Sequence, residues 1–264
     1  MEQVIFPGVG LNLNVSKIAF TVFGIDLHWY AIIIVSALII GLILAKLKNK
    51  TFGIKYEDIF DAMFYVIPIS FISARLYYVI FNFGIFRENM WNIFYLRTGG
   101  LAVYGAIIGA VITLTIFCKK RKIKILDMLD YIVPMFALGQ SMGRWGNFLN
   151  IEAYGEKTNL PWRMGIIENG TYMEVHPTFL YESIITFLLF IILSFMTKNR
   201  KYSGQITYIY LFLYAFSRFF IENLRTDSLM LYNFRISSII SVLICIILIK
   251  NKLLNYKMKQ KTEK

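Results

Sequence analysis

Seven long apolar segments constrain the fold of this chain more than any other feature of its sequence. A helix needs about 20 apolar residues to cross the hydrocarbon core of a bilayer, and each segment approaches that length. The chain is 57% hydrophobic and only 17% charged, a composition that is typical of membrane proteins. We therefore predict an all-α integral membrane protein with about seven transmembrane helices, at residues 27–45, 59–81, 99–118, 126–148, 177–196, 205–221 and 234–249.

Positive charges between these segments predict the orientation of the chain. Of the 28 lysines and arginines, 18 lie in four stretches on one side of a seven-span chain, at residues 46–55, 119–124, 198–201 and 250–264. Because cytoplasmic loops carry such an excess, the N-terminus is predicted outside and the C-terminus, a basic tail of residues 250–264, in the cytoplasm. Residues 1–264 then form one polytopic membrane domain, with a small outward-facing head at 149–176.

Several classes of protein do not fit this sequence. The net charge of +12 comes from short clusters between apolar runs, whereas a nucleic-acid-binding protein carries a basic stripe on a soluble fold. Cys118 and Cys245 lie inside apolar segments and lack the spacing of a disulfide framework or a metal site. The N-terminus has an early acidic residue, a proline and no Ala-x-Ala site, so a cleavable signal peptide is not expected.

Polar side chains inside apolar segments indicate where a site lies, because ionisable residues are costly in a membrane. Arg144 comes fourteen residues after Asp130, and Arg218 fourteen after Gly204, which is about 21 Å along a helix in both cases. Both arginines therefore reach a similar depth toward the outer face. Polar residues of other segments are expected near the same level: Tyr30, Arg75, Tyr104, His176 and Glu182.

Most of these residues also have a simpler structural explanation. Arg218 and Glu222 are four residues apart and can form an ion pair within one helix. Tyr30, in the stretch "HWY", fits an aromatic belt at the membrane interface, and His176, before a proline, fits a helix cap. The glycines of "GAIIGA" and "GQSMG" are typical of close helix packing. Arg144 is the hardest to explain in this way.

The stretch "GRWGNFLNIEAYG", residues 143–155, is unusually polar for the end of an apolar segment. A guanidinium pairs bidentately with phosphate oxygens and stays charged when it is desolvated. Asn147, Asn150 and Glu152 can form hydrogen bonds with hydroxyl groups, and the glycines allow the backbone to approach a ligand closely. This stretch therefore predicts a polar rim that receives the headgroup of an anionic phospholipid.

The same stretch resembles the signature of the prolipoprotein diacylglyceryl transferase family. The other matching motifs follow in the family's order from about residue 28 to 225: "HWY", "ARLYYVIF", "GGLAVYGAIIGA", "DYIVP", "HPTFLYES" and "YAFSRFFIENLR". The resemblance implies transfer of the diacylglyceryl group from phosphatidylglycerol to the lipobox cysteine of a prolipoprotein signal peptide, which forms a thioether and releases glycerol phosphate. It also implies that the protein lies in the bacterial cytoplasmic membrane, in contact with membrane lipids, and that its active site faces the outer leaflet.

The resemblance implies two groups of site residues. The catalytic group is Tyr104, Arg144, Glu152, Arg218 and Glu222. The substrate-binding group is Tyr30, Arg75, Asn147, Asn150, Gly155, His176 and Arg225. No metal-ligand cluster or nucleotide-binding loop occurs in the sequence, so no metal and no cofactor are expected.

Tyr104 departs from the family, some members of which have a histidine that could accept the substrate thiol proton near neutral pH. The reference pKa of tyrosine is about 10 and that of cysteine about 8.5, so a phenol is better suited to donate a hydrogen bond. The identity of the base therefore stays open. Glu152 or Glu222 could accept the proton, or the arginines could lower the pKa of the substrate thiol enough to take the place of such a base.

Two other functions compete with this interpretation. A transporter of lipids or small anions could also use buried arginines, but such folds often contain internal repeats, and the sequence shows no seven-span self-similarity. A helical scaffold leaves the arginines unexplained.

Overall fold

The computed structural model describes residues 2–48, 50–95, 99–168, 170–227, 230–232 and 234–262, most of which are helical. Four strands come first: β1 (Glu2–Phe6), β2 (Leu11–Val15), β3 (Ile18–Val22) and β4 (Ile25–His28). The helices α1 (Trp29–Leu47), α2 (Tyr56–Phe81), α3 (Phe83–Phe86), α4 (Val103–Arg121) and α5 (Ile125–Asn150) follow. The chain continues with β5 (Met164–Glu168), β6 (Thr171–Val175), α6 (Thr178–Thr197), α7 (Gln205–Glu222), β7 (Met230–Leu231), β8 (Phe234–Arg235) and α8 (Ile236–Thr262).

Each of the seven predicted segments overlaps one long helix, and the bounds agree within four residues except that α8 runs past residue 249 to Thr262. By length and composition, α1, α2, α4 and α6 can cross a membrane, and their many exposed apolar side chains suit contact with lipid. The structure is therefore that of a mostly helical protein and is consistent with a membrane protein. Membrane crossing by α5, α7 and α8 stays a prediction.

A small antiparallel sheet corrects the expectation of an all-α chain. Its strand order is β2-β1-β5-β6, so the predicted head segment supplies two strands and the N-terminal residues supply the other two. Val4, Val15 and Ile166 are buried in its core, where they pack with Phe148 of α5 and Phe179 of α6. The sequence did not predict this sheet. A two-stranded hairpin is only marginally stable by itself, so neither hairpin could be expected to form without the other. Here two distant hairpins pair and cover the ends of two helices.

Contacts divide the chain into two compact units, one of residues 1–41 with 132–264 and one of residues 42–131. In the second unit, a Cβ atom on Gly105 of α4 would lie 2.5 Å from the carbonyl oxygen of Ser73 in α2, and Gly109 also contacts Ser73. This confirms close packing at "GAIIGA". At Gly139 and Gly143, in the first unit, a Cβ would meet no described atom closer than 3.6 Å, so "GQSMG" is not a close contact.

Candidate functional site

Five charged side chains form a buried group, here named the arginine cluster, in the unit of residues 1–41 and 132–264. Its members are Arg144 of α5, Glu182 of α6, Arg218 and Glu222 of α7, and Arg225, which follows α7. Oε2 of Glu182 lies 2.5 Å from Nη2 of Arg144, while its Oε1 pairs with Nη1 of Arg218 and, at 3.3 Å, with Nη1 of Arg225. One carboxylate therefore connects three arginines.

Burial explains why the carboxylates of the cluster need these partners. Only 3% of the Glu182 side chain and 1% of the Glu222 side chain are exposed. Removing a carboxylate from water costs several kcal/mol unless it is paired and hydrogen-bonded. Arg218 lies 2.6 Å from Glu222 within α7, as the four-residue spacing suggests, but it also pairs with Glu182 of α6. An ion pair within one helix is therefore an incomplete explanation of Arg218.

The three arginines of the cluster differ in exposure. Arg144 has 22% of its side chain exposed, compared with 17% for Arg218 and 10% for Arg225. Nη1 of Arg144 also donates to Oδ1 of Asn147 at 3.2 Å. An anion that approaches the cluster from outside thus has most access to Arg144.

The end of α5 brings three predicted site residues next to Arg144. Asn147 and Asn150 donate from their side-chain amides to Oε1 of Glu152, at 2.8 and 3.2 Å. The chain folds back because Ile151 and Ala153 have φ values of 51° and 57°, and the Glu152 N–H then donates to the Asn147 carbonyl at 3.0 Å. This left-handed conformation is unusual for a β-branched residue, and such strain is often found at functional sites.

Gly155 connects this loop to the segment after α7. Its N–H donates to the His176 carbonyl at 2.9 Å, and its backbone pairs with that of Arg225. A Cβ atom on Gly155 would lie 2.7 Å from both the His176 Cβ and the Leu224 carbonyl oxygen. The φ of Gly155 is outside the left-handed region, so close packing requires glycine here and backbone freedom does not.

His176 lies between the sheet and α6. Its Nδ1 is 3.2 Å from the hydroxyl of Tyr181, which accepts a 2.7 Å hydrogen bond from Trp162 Nε1. The residue that precedes the first turn of α6 is Pro177, and no side chain caps this helix end. A helix cap therefore does not account for His176, and its role in binding substrate stays a prediction.

Arg225 is held from both sides. Its Nε and Nη2 donate to the two carboxylate oxygens of Asp227 at 2.8 and 2.6 Å, and its Nη1 reaches Glu182. Burial opposes the charged form of each partner, but the hydrogen bonds and mutual attraction outweigh it, raising the pKa of Arg225 and lowering that of Asp227. Arg225 is therefore a fixed cation at the edge of the cluster.

Tyr30 contacts the same helix as Arg144. Its ring packs directly against Gly146 of α5, where a Cβ atom would clash with the ring. Its exposed side chain lies at the start of α1. Both the aromatic belt and a place at the site fit this position.

Arg75 and Tyr104 belong to the unit of residues 42–131. Arg75 is buried and donates to five backbone carbonyls of the segment before α4, those of Asn92, Ile93, Tyr95, Gly99 and Gly100, at 2.7 to 3.1 Å. In this arrangement all five of its N–H groups are used. Tyr104 is exposed in the first turn of α4. That these two residues join the arginine cluster stays a prediction.

Glu182 was expected near the level of Arg144 and Arg218, but the sequence analysis did not include it among the catalytic or substrate-binding residues. It is the single charged residue of α6, "TFLYESIITFLLFIILSFMT", and a carboxylate in such an apolar segment requires a buried partner. That signal was visible, but the sequence did not show that its partners come from α5, from α7 and from the segment after α7. Gln140 of α5 was also missed; it accepts a 2.5 Å hydrogen bond from Tyr210 of α7.

Comparison with known proteins gives one consistent result. The family model described as prolipoprotein diacylglyceryl transferase matches residues 17–251, a range that includes the whole arginine cluster. A protein of Finegoldia magna named phosphatidylglycerol–prolipoprotein diacylglyceryl transferase is 48% identical over 231 residues, 87% of this chain and 92% of that protein. A protein of Clostridioides difficile with the same name is 46% identical over 227 residues, 86% of this chain and 90% of that protein.

Proposed function

Because the chain belongs to the prolipoprotein diacylglyceryl transferase family, we propose that it transfers the diacylglyceryl group of phosphatidylglycerol to a prolipoprotein cysteine. The thiol sulfur forms a bond to the glycerol carbon that carries the phosphate ester. The bond from that carbon to the phosphate oxygen breaks, and glycerol phosphate leaves with the electron pair. The thiol proton passes to a base. The protein is thus a multi-pass membrane transferase of lipoprotein maturation.

The accessible side of the arginine cluster supports binding of the lipid phosphate. Negative charge grows on this group as the carbon–oxygen bond breaks, and cations already held in place stabilise the transition state most effectively. Arg144 is the most exposed of the three arginines, and we assign the first phosphate contact to it. Arg218, one carboxylate away, adds positive charge behind that contact.

Glu182 holds these cations in place before the substrate binds. Guanidinium groups repel one another, and this carboxylate lies between them with one oxygen toward Arg144 and the other toward Arg218 and Arg225. A phosphate oxygen can replace Asn147 as the acceptor for Arg144 while the Glu182 contact remains. We therefore assign Glu182 as a positioning residue.

Glu152 is a better base than Glu222 because of its surroundings. Glu222 is almost fully buried and paired with Arg218, whereas Glu152 is exposed at the end of α5. The neighbouring Tyr154 is unsuitable, because burial and the hydrogen bond to Glu168 raise its pKa to about 12. We therefore assign Glu152 as the base that accepts the thiol proton. We assign Tyr104 as a hydrogen-bond donor through its phenol.

We also propose seven membrane spans, an external N-terminus, a cytoplasmic C-terminus and a site near the outer leaflet of the bacterial cytoplasmic membrane. The four basic clusters on one side of the seven helices support this orientation. A cysteine at position 168, in β5, should react with an impermeant maleimide in intact cells. Reaction only after permeabilisation would place residue 168 on the cytoplasmic side and contradict the proposed orientation.

The function is tested with the purified protein in phosphatidylglycerol vesicles and a peptide that contains a lipobox cysteine. Acyl-labelled lipid should give a labelled peptide with a thioether, together with one glycerol phosphate per peptide. A peptide with serine in place of the cysteine is the control and should stay unlabelled. Lipid movement across the vesicle without any peptide product would favour a transporter and contradict the proposal.

A further inference from the structure

The hairpin of β3 and β4 precedes the first long helix and has an unusual turn. Thr21 pairs with Asp26 and Val22 with Ile25, so a two-residue turn of Phe23 and Gly24 connects the strands. The φ values of these two residues are 50° and 77°. Positive φ at both central residues is the pattern of a type I′ turn, which favours asparagine, aspartate or glycine.

The two faces of this hairpin differ in polarity. On one face, the Thr21 hydroxyl donates to Asp26 at 2.6 Å. The other face carries four apolar side chains, each 38 to 55% exposed: Phe20, Val22, Ile25 and Leu27. A two-stranded hairpin is marginally stable in water, and an exposed apolar face normally marks a surface that contacts something else.

Phe23 at the tip strengthens this argument. Its side chain is 100% exposed, and its φ of 50° is unfavourable for a bulky aromatic residue. In water, such a residue gains no burial that offsets the backbone strain. In contact with an apolar phase, the burial of its ring does offset that strain.

The position of the hairpin identifies the apolar phase. His28, the last residue of β4, is followed directly by Trp29, the first residue of α1, and the Trp29 N–H donates to the Lys17 carbonyl at 3.0 Å. The hairpin is therefore tied to the start of a helix that is long and apolar enough to cross a membrane. Trp29 and Tyr30 are exposed there, as aromatic residues at a lipid–water boundary commonly are.

We propose that the hairpin Ile18–His28 lies in the lipid surface at the start of α1, with its apolar face and Phe23 inserted among the phospholipids. The depth is shallow, because the outer edges of a two-stranded ribbon need water or headgroups as hydrogen-bond partners. Tyr30 packs on Gly146, two residues from Arg144, so this anchor also fixes the level of α1 beside the arginine cluster. The proposal requires that α1 crosses the membrane and is independent of the transfer reaction.

Spin labels test the depth of the tip. Phe23→Cys is made in a Cys118→Ala, Cys245→Ala background, labelled with a nitroxide and placed in lipid nanodiscs with one protein each. Collisions with oxygen should be frequent at position 23 and those with a water-soluble nickel chelate roughly tenfold rarer than at the control Lys157→Cys, an exposed head residue. Equal access of the nickel chelate to both positions would overturn the proposal.

A second measurement leaves both cysteines in place. Brominated phospholipids should quench a larger share of the tryptophan fluorescence in Phe23→Trp than in the wild type, which has four tryptophans of its own. In Lys157→Trp the quenched share should not increase. Quenching that is the same in the two variants contradicts insertion. Shielding of position 23 that occurs only with two proteins per disc would assign the face to a second copy of the chain, and also overturns the proposal.

Discussion

Two arginines that were predicted as site residues, Arg75 and Arg144, have different partners for their charged groups. Arg75 donates to five main-chain carbonyls and lies over the rings of Tyr78 and Phe86. Arg144 contacts two side chains, the carboxylate of Glu182 and the amide of Asn147. Arg75 is buried, whereas Arg144 keeps 22% of its side chain exposed.

This difference separates an arginine that organises a loop from one that can bind a ligand. Main-chain carbonyls move only when the backbone moves, so the backbone at residues 92–95 and 99–100 must move before Arg75 can release a donor. A side chain such as Asn147 can rotate away and leave its place to a phosphate oxygen. Both arginines were predicted as site residues, and their surroundings suggest that Arg144 alone can exchange partners.

The largest effect is expected for Glu182→Gln, which removes the carboxylate shared by three arginines. The free energy of unfolding should fall by about 3–5 kcal/mol, because the cations keep their burial but lose their partner. Unfolding of the purified protein in detergent measures this change. Glu174→Gln is the matched control: it breaks the pair with Arg163, in which 26% and 29% of the two side chains are exposed, and should cost about 1 kcal/mol or less. Equal losses in the two variants would remove the special role of Glu182.

Arg144→Lys should act on the reaction more than on the fold. It keeps the charge but loses the planar guanidinium, so turnover per folded molecule should fall about a hundredfold to a thousandfold, or about 2.7–4 kcal/mol. Detergent-extracted yield should stay close to wild type. Arg163→Lys, in the head, is the control for the same exchange elsewhere. A structural role of Arg144 predicts the opposite, with yield falling first and the surviving molecules fully active.

Arg75→Lys should lower the stability of the fold more than the turnover of the folded protein, the reverse of Arg144→Lys. Lysine offers three donors in place of five, so carbonyls of the loop lose their partners and unfolding becomes easier by about 2 kcal/mol. Turnover per folded molecule should change less than in Arg144→Lys. If turnover fell a hundredfold while stability stayed at the wild-type value, Arg75 would belong with the substrate-binding residues after all.

The smallest effect is expected for Gly155→Ala, which disturbs the arginine cluster through the backbone. The added Cβ presses on His176 and the Leu224 carbonyl, and such overpacking costs about 1 kcal/mol or slightly more. Gly139→Ala is the control, because a Cβ there meets no described atom within 4 Å and should be neutral or stabilising. Thermal unfolding of both proteins gives the comparison. Identical midpoints would show that the Gly155 contact relaxes at no cost.

The helices of this protein could be predicted without a structure, and its sheet could not. Apolar length and the cost of a charge in lipid are properties of a short stretch, so all seven helical segments and the unusual position of Arg144 inside one of them were visible in the sequence. The sheet depends on Ile5 pairing with Gly165, 160 residues away, and neither hairpin alone indicates that contact. The close packing of Gly155 against His176 and Leu224 is likewise a contact that the sequence did not show, and the predicted role of Gly155 in binding substrate stays a prediction.

The sequence by itself determined the family, the helices and the set of polar residues from which a site can be built. Only the tertiary structure decided what each of them contacts: Glu182 connects three arginines, and Arg75 holds a loop through its carbonyls. The physical reason is that a buried charge must have partners, which its residue type reveals, while the identity of those partners depends on side chains brought together from distant parts of the chain.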